Sequence, residues 1–254
     1  MRRLSRGSGS HFLEAAALSR SNQLALPLPE PDLPAPIAEP IQEPGSPQAV
    51  MAFLLRLRAR GISDVGLLRV LELVPRDLFV PIRYRDLAWR DMALPIACGQ
   101  TMPEAWLVAR MLEALDLDSS HRVLEIGTGS GYATAMLAQL AGEVVSYDIF
   151  EALSVESRAR LTNLGLKNVE IRHGDAFELL ATIGQFDRIL VHGIVQWMPD
   201  ALLGALKDGG VMVLGRRGGT KHAMLTKLVK QGAEHSETEL CACRLGGLIG
   251  LSNN

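Results

Sequence analysis

No stretch of this 254-residue chain reaches the ~18 to 20 consecutive apolar residues that a membrane-spanning helix needs, although hydrophobic residues make up 48% of it. A surplus of one charge is missing too. There are 26 basic and 28 acidic residues, a net of −2, so no whole-molecule field draws the chain to nucleic acid or to an anionic membrane. Three cysteines are too few for a disulfide framework, and Cys241 and Cys243 lack the second ligand pair that a zinc site requires. Reduced thiols in the cytoplasm and no bound metal are therefore expected. A secretory leader is not expected either: Arg2, Arg3 and Arg6 could open one, but Glu14 interrupts the apolar patch behind them and no small-residue cleavage site follows. What remains is an ordinary globular composition, long enough for about one large domain and an appendage.

Proline, by contrast, is concentrated in one place. Residues 26–47 read LPLPEPDLPAPIAEPIQEPGSP, and a proline every two to four positions fixes φ and removes backbone donors. Residues 1–48 are expected to be a disordered or extended arm, either a plain tail or a proline-rich docking ligand. Over 49–73 the apolar positions Phe53, Leu54, Leu57, Val65, Leu68 and Leu71 recur at helical intervals around Gly61, which predicts helix, turn and helix. A loop-rich stretch broken by Pro75, Pro81 and Pro95 follows. A helix is then expected from about Pro103 to Leu115, opened by capping-box spacing between Thr101 and Glu104.

Beyond Ser120 the pattern becomes regular. Short β-branched runs at 123–126, 143–147, 169–172, 189–191 and 211–214 are separated by helix-length amphipathic segments, and 221–251 reads as further strands. Strand and helix alternating in this way predict an α/β fold, a doubly wound and mostly parallel sheet covered on both faces. No internal repeat is present.

Within that alternation, VLEIGTGSGY at Val123 runs a buried strand straight into glycines and a helix. Gly127, Gly129 and Gly131 let the backbone turn sharply and a ligand lie against it, and Thr128 and Ser130 complete the candidate binding loop. A dinucleotide is one possible ligand, but its enzymes favour G-x-G-x-x-G, whereas this loop is E-x-G-x-G-x-G. A diphosphate disfavours a nearby carboxylate. Glu125 suits a ligand carrying an ammonium group, and S-adenosylmethionine carries one. Asp148 ends the next strand, 21 residues after Gly127, where an acid can accept from both ribose hydroxyls. Asp175 and Ala176, behind Gly174, end the third and are placed to read an adenine. A glycine triplet, a capping aspartate or a loop acid would each mean little alone. Together, at the ends of three successive strands, they mark the ligand edge of an open α/β sheet.

Residues 74–215 resemble the protein-L-isoaspartate O-methyltransferases, repair enzymes that methylate the abnormal carboxylate of damaged aspartyl sites. The resemblance is carried by VPRDLFVP at Val74, LAWRDMALPIACGQT at Leu87, VLEIGTGSGY at Val123, GDAFE at Gly174 and LKDGGVMV at Leu206, with LGGLIG at Leu245 similar to the family's final strand. It implies a seven-stranded class I methyltransferase sheet over 121–254, S-adenosylmethionine as cofactor, and a region 49–120 that helps form the acceptor site. The acceptor it implies is a protein or peptide carrying isoaspartyl residues. Glu125, Gly127, Gly129 and Gly131 would face the methionine end, Asp148 the ribose, Asp175 and Ala176 the adenine.

Two departures touch the acceptor. Where the family has Gln-Thr-Ile-Ser, this chain has Gln100, Thr101, Met102 and Pro103, so the acceptor-site serine is missing. Where the family has Thr-Ala-Ala-Ala-Pro-Glu, this chain has a stretch running from His192 to Trp197. A carboxylate is already ionised at neutral pH and needs no base, so Thr101 could supply the lost hydroxyl. Alternatively the acceptor differs and His192 acts as base or positioning group. Trp106 and Trp197 are candidates to cover the acceptor, with core packing as the plain alternative. A cofactor-binding protein without chemistry is a third reading. No Asn-Pro-Pro-Tyr or Asp-Pro-Pro-Tyr follows the fourth strand, which argues against methylation of bases.

Overall fold

The first helix begins where the proline run stops. In the computed structural model, which describes residues 45–217 and 222–250, Pro47 sits in the first turn of α1 (Pro47–Ala59) and the Ser46 hydroxyl accepts from the Ala49 amide at 3.2 Å. Proline there lacks only a donor the helix does not use, so α1 starts ahead of its apolar period. The rest of the expected arm lies outside the described residues. α1 buries Phe53, Leu54 and Leu57. After the turn at Gly61 (φ +95°), α2 (Val65–Leu73) is capped by Asp64, which accepts from the Leu67 amide at 2.6 Å.

Two 3-10 turns, Arg76–Phe79 and Ile82–Leu87, lead into a small antiparallel pair, β1 (Leu94–Pro95) with β2 (Thr101–Met102), and then into α3 (Ala105–Leu115). The expected capping box is not formed. Thr101 is drawn into β2, Glu104 makes no side-chain cap, and the Trp106 amide donates instead to Asp91 Oδ1 at 2.9 Å. A loop acid from elsewhere in the chain satisfies the helix start, which local spacing does not reveal.

The sheet comprises β3 (Arg122–Ile126), β4 (Glu143–Asp148), β5 (Val169–His173), β6 (Phe186–Val195), β7 (Leu206–Arg216), β8 (Ala223–Gln231) and β9 (Glu234–Cys243). Its order is β5-β4-β3-β6-β7-β8-β9; the first five strands in that order run parallel, and β8 and β9 are antiparallel. The chain winds outward from β3 to β5, then crosses back to lay β6 on the other side of β3. This is the doubly wound, seven-stranded, mostly parallel sheet expected, and it puts a topological switch point between β3 and β6. The helices α4 (Tyr132–Leu140), α5 (Glu151–Asn163), α6 (Ala176–Leu179) and α7 (Asp200–Ala205) complete it.

Successive strand residues feed opposite faces. Val123, Val144 and Val213 pack with Met111, Leu112 and Met136 on one face, while Leu124, Val145, Ile189 and Met212 pack with Leu180 and Leu202 on the other. Each such side chain contributes roughly 1.5 to 3 kcal/mol by leaving water. Both faces being covered explains why the central strands read as unbroken apolar runs. Against that background Glu125, fully buried in β3, stands out. Among the described residues no helix is long and apolar enough to cross a membrane.

Candidate active site

The loop from β3 to α4 is held on both sides. The amides of Gly127 and Thr128 donate to the Tyr147 carbonyl at 2.8 and 3.2 Å, and Arg160 donates to the Ser130 carbonyl at 2.6 Å. Two of its glycines answer different needs. At Gly127 (φ +94°) a Cβ would lie 3.1 Å from the His192 Cβ, so its absence lets β6 close on the loop. At Gly131 (φ +84°) a Cβ would meet Ser157 and Leu161 of α5. Gly131 therefore serves helix packing and lines no cavity, unlike the cofactor-facing role expected of it.

Two adjoining cavities open at the carboxyl ends of the strands. The smaller, about 100 Å³, is bounded by Asp148, Phe150, Asp175, Ala176 and Phe177. The larger, about 210 Å³, is bounded by Met102, Pro103, Thr128, Ser130, Tyr132 and Arg244. Gln100, Thr101, Gly127, Gly129 and His192 border both. The structure thus brings the candidate residues to this edge except Gly131, Glu125, Trp106 and Trp197.

Asp148 is 6% exposed. Its Oδ2 accepts from the Gly129 amide at 2.7 Å and its Oδ1 from the Phe150 amide at 2.9 Å. Burial pushes its carboxyl above the usual range, against the pull of those two amides. Each oxygen keeps a further lone pair for a ligand hydroxyl. The Asp148 carbonyl also accepts from the Gly174 amide at 3.0 Å, tying the β5 turn to the end of β4. Asp175 Oδ1 accepts from the Phe177 amide at 2.9 Å and so caps α6 while bordering the smaller cavity.

Glu125 is the main correction to the sequence reading. Instead of facing a ligand ammonium it lies beneath the loop, borders neither cavity, and is 0% exposed. Its Oε2 accepts from Thr134 at 2.6 Å and from Ser146 at 2.7 Å, and its Oε1 meets His192 Nε2 at 2.9 Å. One carboxylate therefore ties α4, β4 and β6 together. An unpaired buried carboxylate would be costly, and these three partners offset that cost.

His192 reaches the cavities through an irregularity in β6. Leu190 pairs with Val213 and Ile194 with Gly215, so four residues of β6 span what two cover on β7. A bulge of this kind re-aims a side chain. Past it, the Ile194 amide donates to the Gly246 carbonyl at 2.9 Å and the Leu248 amide donates to the Ile194 carbonyl at 3.3 Å. The segment after β9 is thereby laid across both cavities, with Gly247 bordering each. At Gly193 a Cβ would sit 2.8 Å from Leu248, so the two chains meet closely.

Several neighbours were not legible in the sequence. Arg76, fully buried, donates to the Pro103 carbonyl at 2.8 Å and to the Met92 carbonyl at 3.2 Å, and lies over the Tyr132 ring at 4.8 Å. It fastens the 92–103 loop to α4, and burial lowers its pKa from the ordinary arginine value. Arg244 borders the larger cavity with nothing in its local pattern to mark it; the VPRDLFVP stretch was the available signal for Arg76. Neither tryptophan covers the site. Trp106 lies under the Arg60 guanidinium and donates to the Arg60 carbonyl, while Trp197 is 45% exposed, so it serves neither as a cover nor as core. All three cysteines are free, Cys98 exposed and Cys243 buried. Among the described residues no group of three or more His, Cys, Asp or Glu could hold a metal ion.

The family model for protein-L-isoaspartate(D-aspartate) O-methyltransferase matches residues 48–249. A protein-L-isoaspartate O-methyltransferase of Rhodopseudomonas palustris is 46% identical over 75% of this chain and 90% of its own length. One from Xanthobacter autotrophicus is 48% identical over 78% of this chain and 91% of its own. Among solved structures, a Plasmodium falciparum protein described as a protein-L-isoaspartate O-methyltransferase in complex with S-adenosyl-L-homocysteine superposes with a TM-score of 0.67 at 20% identity, covering 78% of this chain and 96% of its own. At that identity the superposition speaks for the fold, the class I methyltransferase sheet. A family match over most of the chain, joined to close relatives that it covers almost end to end, means that this chain belongs to the protein-L-isoaspartate O-methyltransferase family.

Proposed function

We propose that this chain is an S-adenosylmethionine-dependent methyltransferase that esterifies the free carboxylate of isoaspartyl residues in peptides and proteins. The observation that carries the reading is the pair of adjoining cavities at the switch point, one bordered by Asp148 and Asp175 and the other by Thr101, Ser130 and His192. The residues present fit the cofactor. Asp148 has lone pairs left for two ribose hydroxyls, and Gly127 and Gly129 keep clear the space that side chains would fill, since a Cβ on Gly129 would come 3.4 Å from Ile96.

In this reading Asp148 holds the ribose, Asp175 and Ala176 the adenine, and the loop of Gly127, Thr128, Gly129 and Ser130 the amino-acid end. The leading amides of α4 have no partner within the helix and favour a carboxylate there. Glu125 does not touch the ligand; it fixes the floor of the loop and the ring of His192. When bound, the sulfonium supplies an electrophilic methyl group. The protein's own task is to hold the acceptor behind that methyl and to exclude water, which the 244–249 segment assists by covering both cavities. The acceptor carboxylate is ionised at neutral pH, so Thr101 and His192 orient it and need take no proton. The 49–120 region contributes Gln100, Thr101 and Met102 to this half of the site, and a cytoplasmic setting suits the three free thiols.

Incubation of the full chain with methyl-labelled cofactor and an isoaspartyl peptide should yield a base-labile methyl ester, with none on the aspartyl control. Absence of that ester from both peptides would remove the repair reading and favour a different acceptor.

A further inference from the structure

We infer that Arg244 is the acceptor-binding residue, its guanidinium taking the carboxylate that is to be methylated. Arg244 follows directly on β9 and is carried to the larger cavity by the hydrogen bonds that lay the next residues along Ile194. It is exposed, and among the described residues it makes no hydrogen bond, ion pair or ring contact. Five arginines are paired with acids, Arg60 with Asp91, Arg110 with Glu113, Arg122 with Glu143, Arg172 with Glu170 and Arg216 with Glu237, and among the described residues Arg244 is the arginine that borders either cavity.

Among the described residues the cavity it borders has no aspartate or glutamate in its lining to compete for the cation. Guanidinium and carboxylate match as a two-pronged pair, and in a partly enclosed cavity such a bond is stronger than in open water. A second anion also needs a seat here. The cofactor's own carboxylate has the first turn of α4, where Tyr132 and Ala133 border the same cavity. The acceptor carboxylate is then left with Arg244, Thr101 and His192. An isoaspartyl residue offers a free main-chain carboxylate that an ordinary aspartyl residue lacks, so a fixed cation at this point would also select the damaged site. The lost serine at position 103 is thereby compensated by charge.

This inference rests on the isoaspartyl reading above, and two measurements separate their failures. The first is steady-state methylation of an isoaspartyl peptide by wild type, Arg244→Lys and Arg244→Ala. The second is calorimetric binding of S-adenosylhomocysteine to the same three proteins. For Arg244→Ala the KM for peptide should rise about tenfold or more, the loss of one charged hydrogen bond. Arg244→Lys should fall between, and homocysteine-product affinity should stay within about twofold across the series. Unchanged peptide kinetics in an active Arg244→Ala protein would overturn this inference alone. So would a parallel loss of S-adenosylhomocysteine affinity, which would assign Arg244 to the cofactor's carboxylate. A wild-type protein that makes no ester on the isoaspartyl peptide would overturn the acceptor reading and this inference with it.

Discussion

The two cavities differ in charge and in how the chain assembles them. Among the described residues, the smaller is bordered by two carboxylates, Asp148 and Asp175, and by no lysine or arginine; the larger is bordered by Arg244 and by no acid, and His192 stands between the two. The acids of the smaller stand at the ends of neighbouring strands, Asp148 as the last residue of β4 and Asp175 two residues past β5, while Ile96, Gln100, Thr101, His192 and residues 247–249 complete its border. The larger gathers residues 96–103, 127–133, 192 and 244–247. The acids of the smaller half suit a neutral, hydroxyl-rich nucleoside and come from short-range motifs. The basic half suits an anionic acceptor and exists only once distant segments meet. The charge proposed to meet the common ligand is thus set locally in sequence, whereas the charge proposed to meet the acceptor is not.

Removing Asp148 should break the acidic half most completely. With Asp148 on the ribose as proposed, Asp148→Ala would delete two charged hydrogen bonds at roughly 1.5 to 3 kcal/mol each, so S-adenosylhomocysteine affinity measured by calorimetry should fall about 100-fold or more. Its raised pKa adds a pH signature. Ribose binding needs the ionised form, so affinity should weaken on acidification from neutral pH sooner than an ordinary aspartate would dictate. The ligand-free fold responds oppositely. Stability from this group is present below its unfolded pKa and is lost as pH rises through the folded value, because burial disfavours the charge.

The seam between the halves is the next target. Glu125→Ala leaves Thr134, Ser146 and His192 without their common acceptor, and should lower stability by about 2 to 4 kcal/mol in denaturant titration. It should also disturb both cavities, since His192 borders each. Glu125→Gln retains an oxygen and should cost less; equal losses for the two would mean that charge, not hydrogen bonding, holds the seam.

The basic half can be sharpened by restoring what it lost. Pro103→Ser returns a hydroxyl to the acceptor side while leaving the carbonyl that Arg76 holds. A regained bond to a charged group predicts a rise in kcat/KM on isoaspartyl peptide of up to about tenfold. No change would mean that Thr101 or Arg244 already does that work. The smallest effect concerns thiols. Cys243, on the strand leading to Arg244, has its pKa pushed up to about 11, chiefly by burial and then by Cys241. Iodoacetamide at mildly alkaline pH should therefore label the exposed Cys98 and spare Cys243, with activity following the Cys98 signal or nothing.

The glycine loop, Asp148 and Asp175 were readable because each belongs to a strand end whose apolar run announces it, and a parallel sheet puts such ends on one edge. The strands themselves were readable for the same reason, although β6 and β7 extend further than their apolar cores. Other features were misjudged where a distant partner won. Thr101 looked like a helix cap and became a strand residue because Asp91 supplies the cap. Glu125 looked like a ligand contact and became a buried brace because β6 brings His192 to it.

By itself, the sequence determined the alternation of strands and helices, the cofactor edge and the family, since these depend on residues near one another along the chain. Only the folded molecule decided that Glu125 faces inward, that Gly131 packs a helix, and that Arg244 borders the larger cavity with no side-chain partner among the described residues. Those outcomes depend on which segments lie side by side across β3, β6 and the stretch after β9, and no local spacing encodes such meetings.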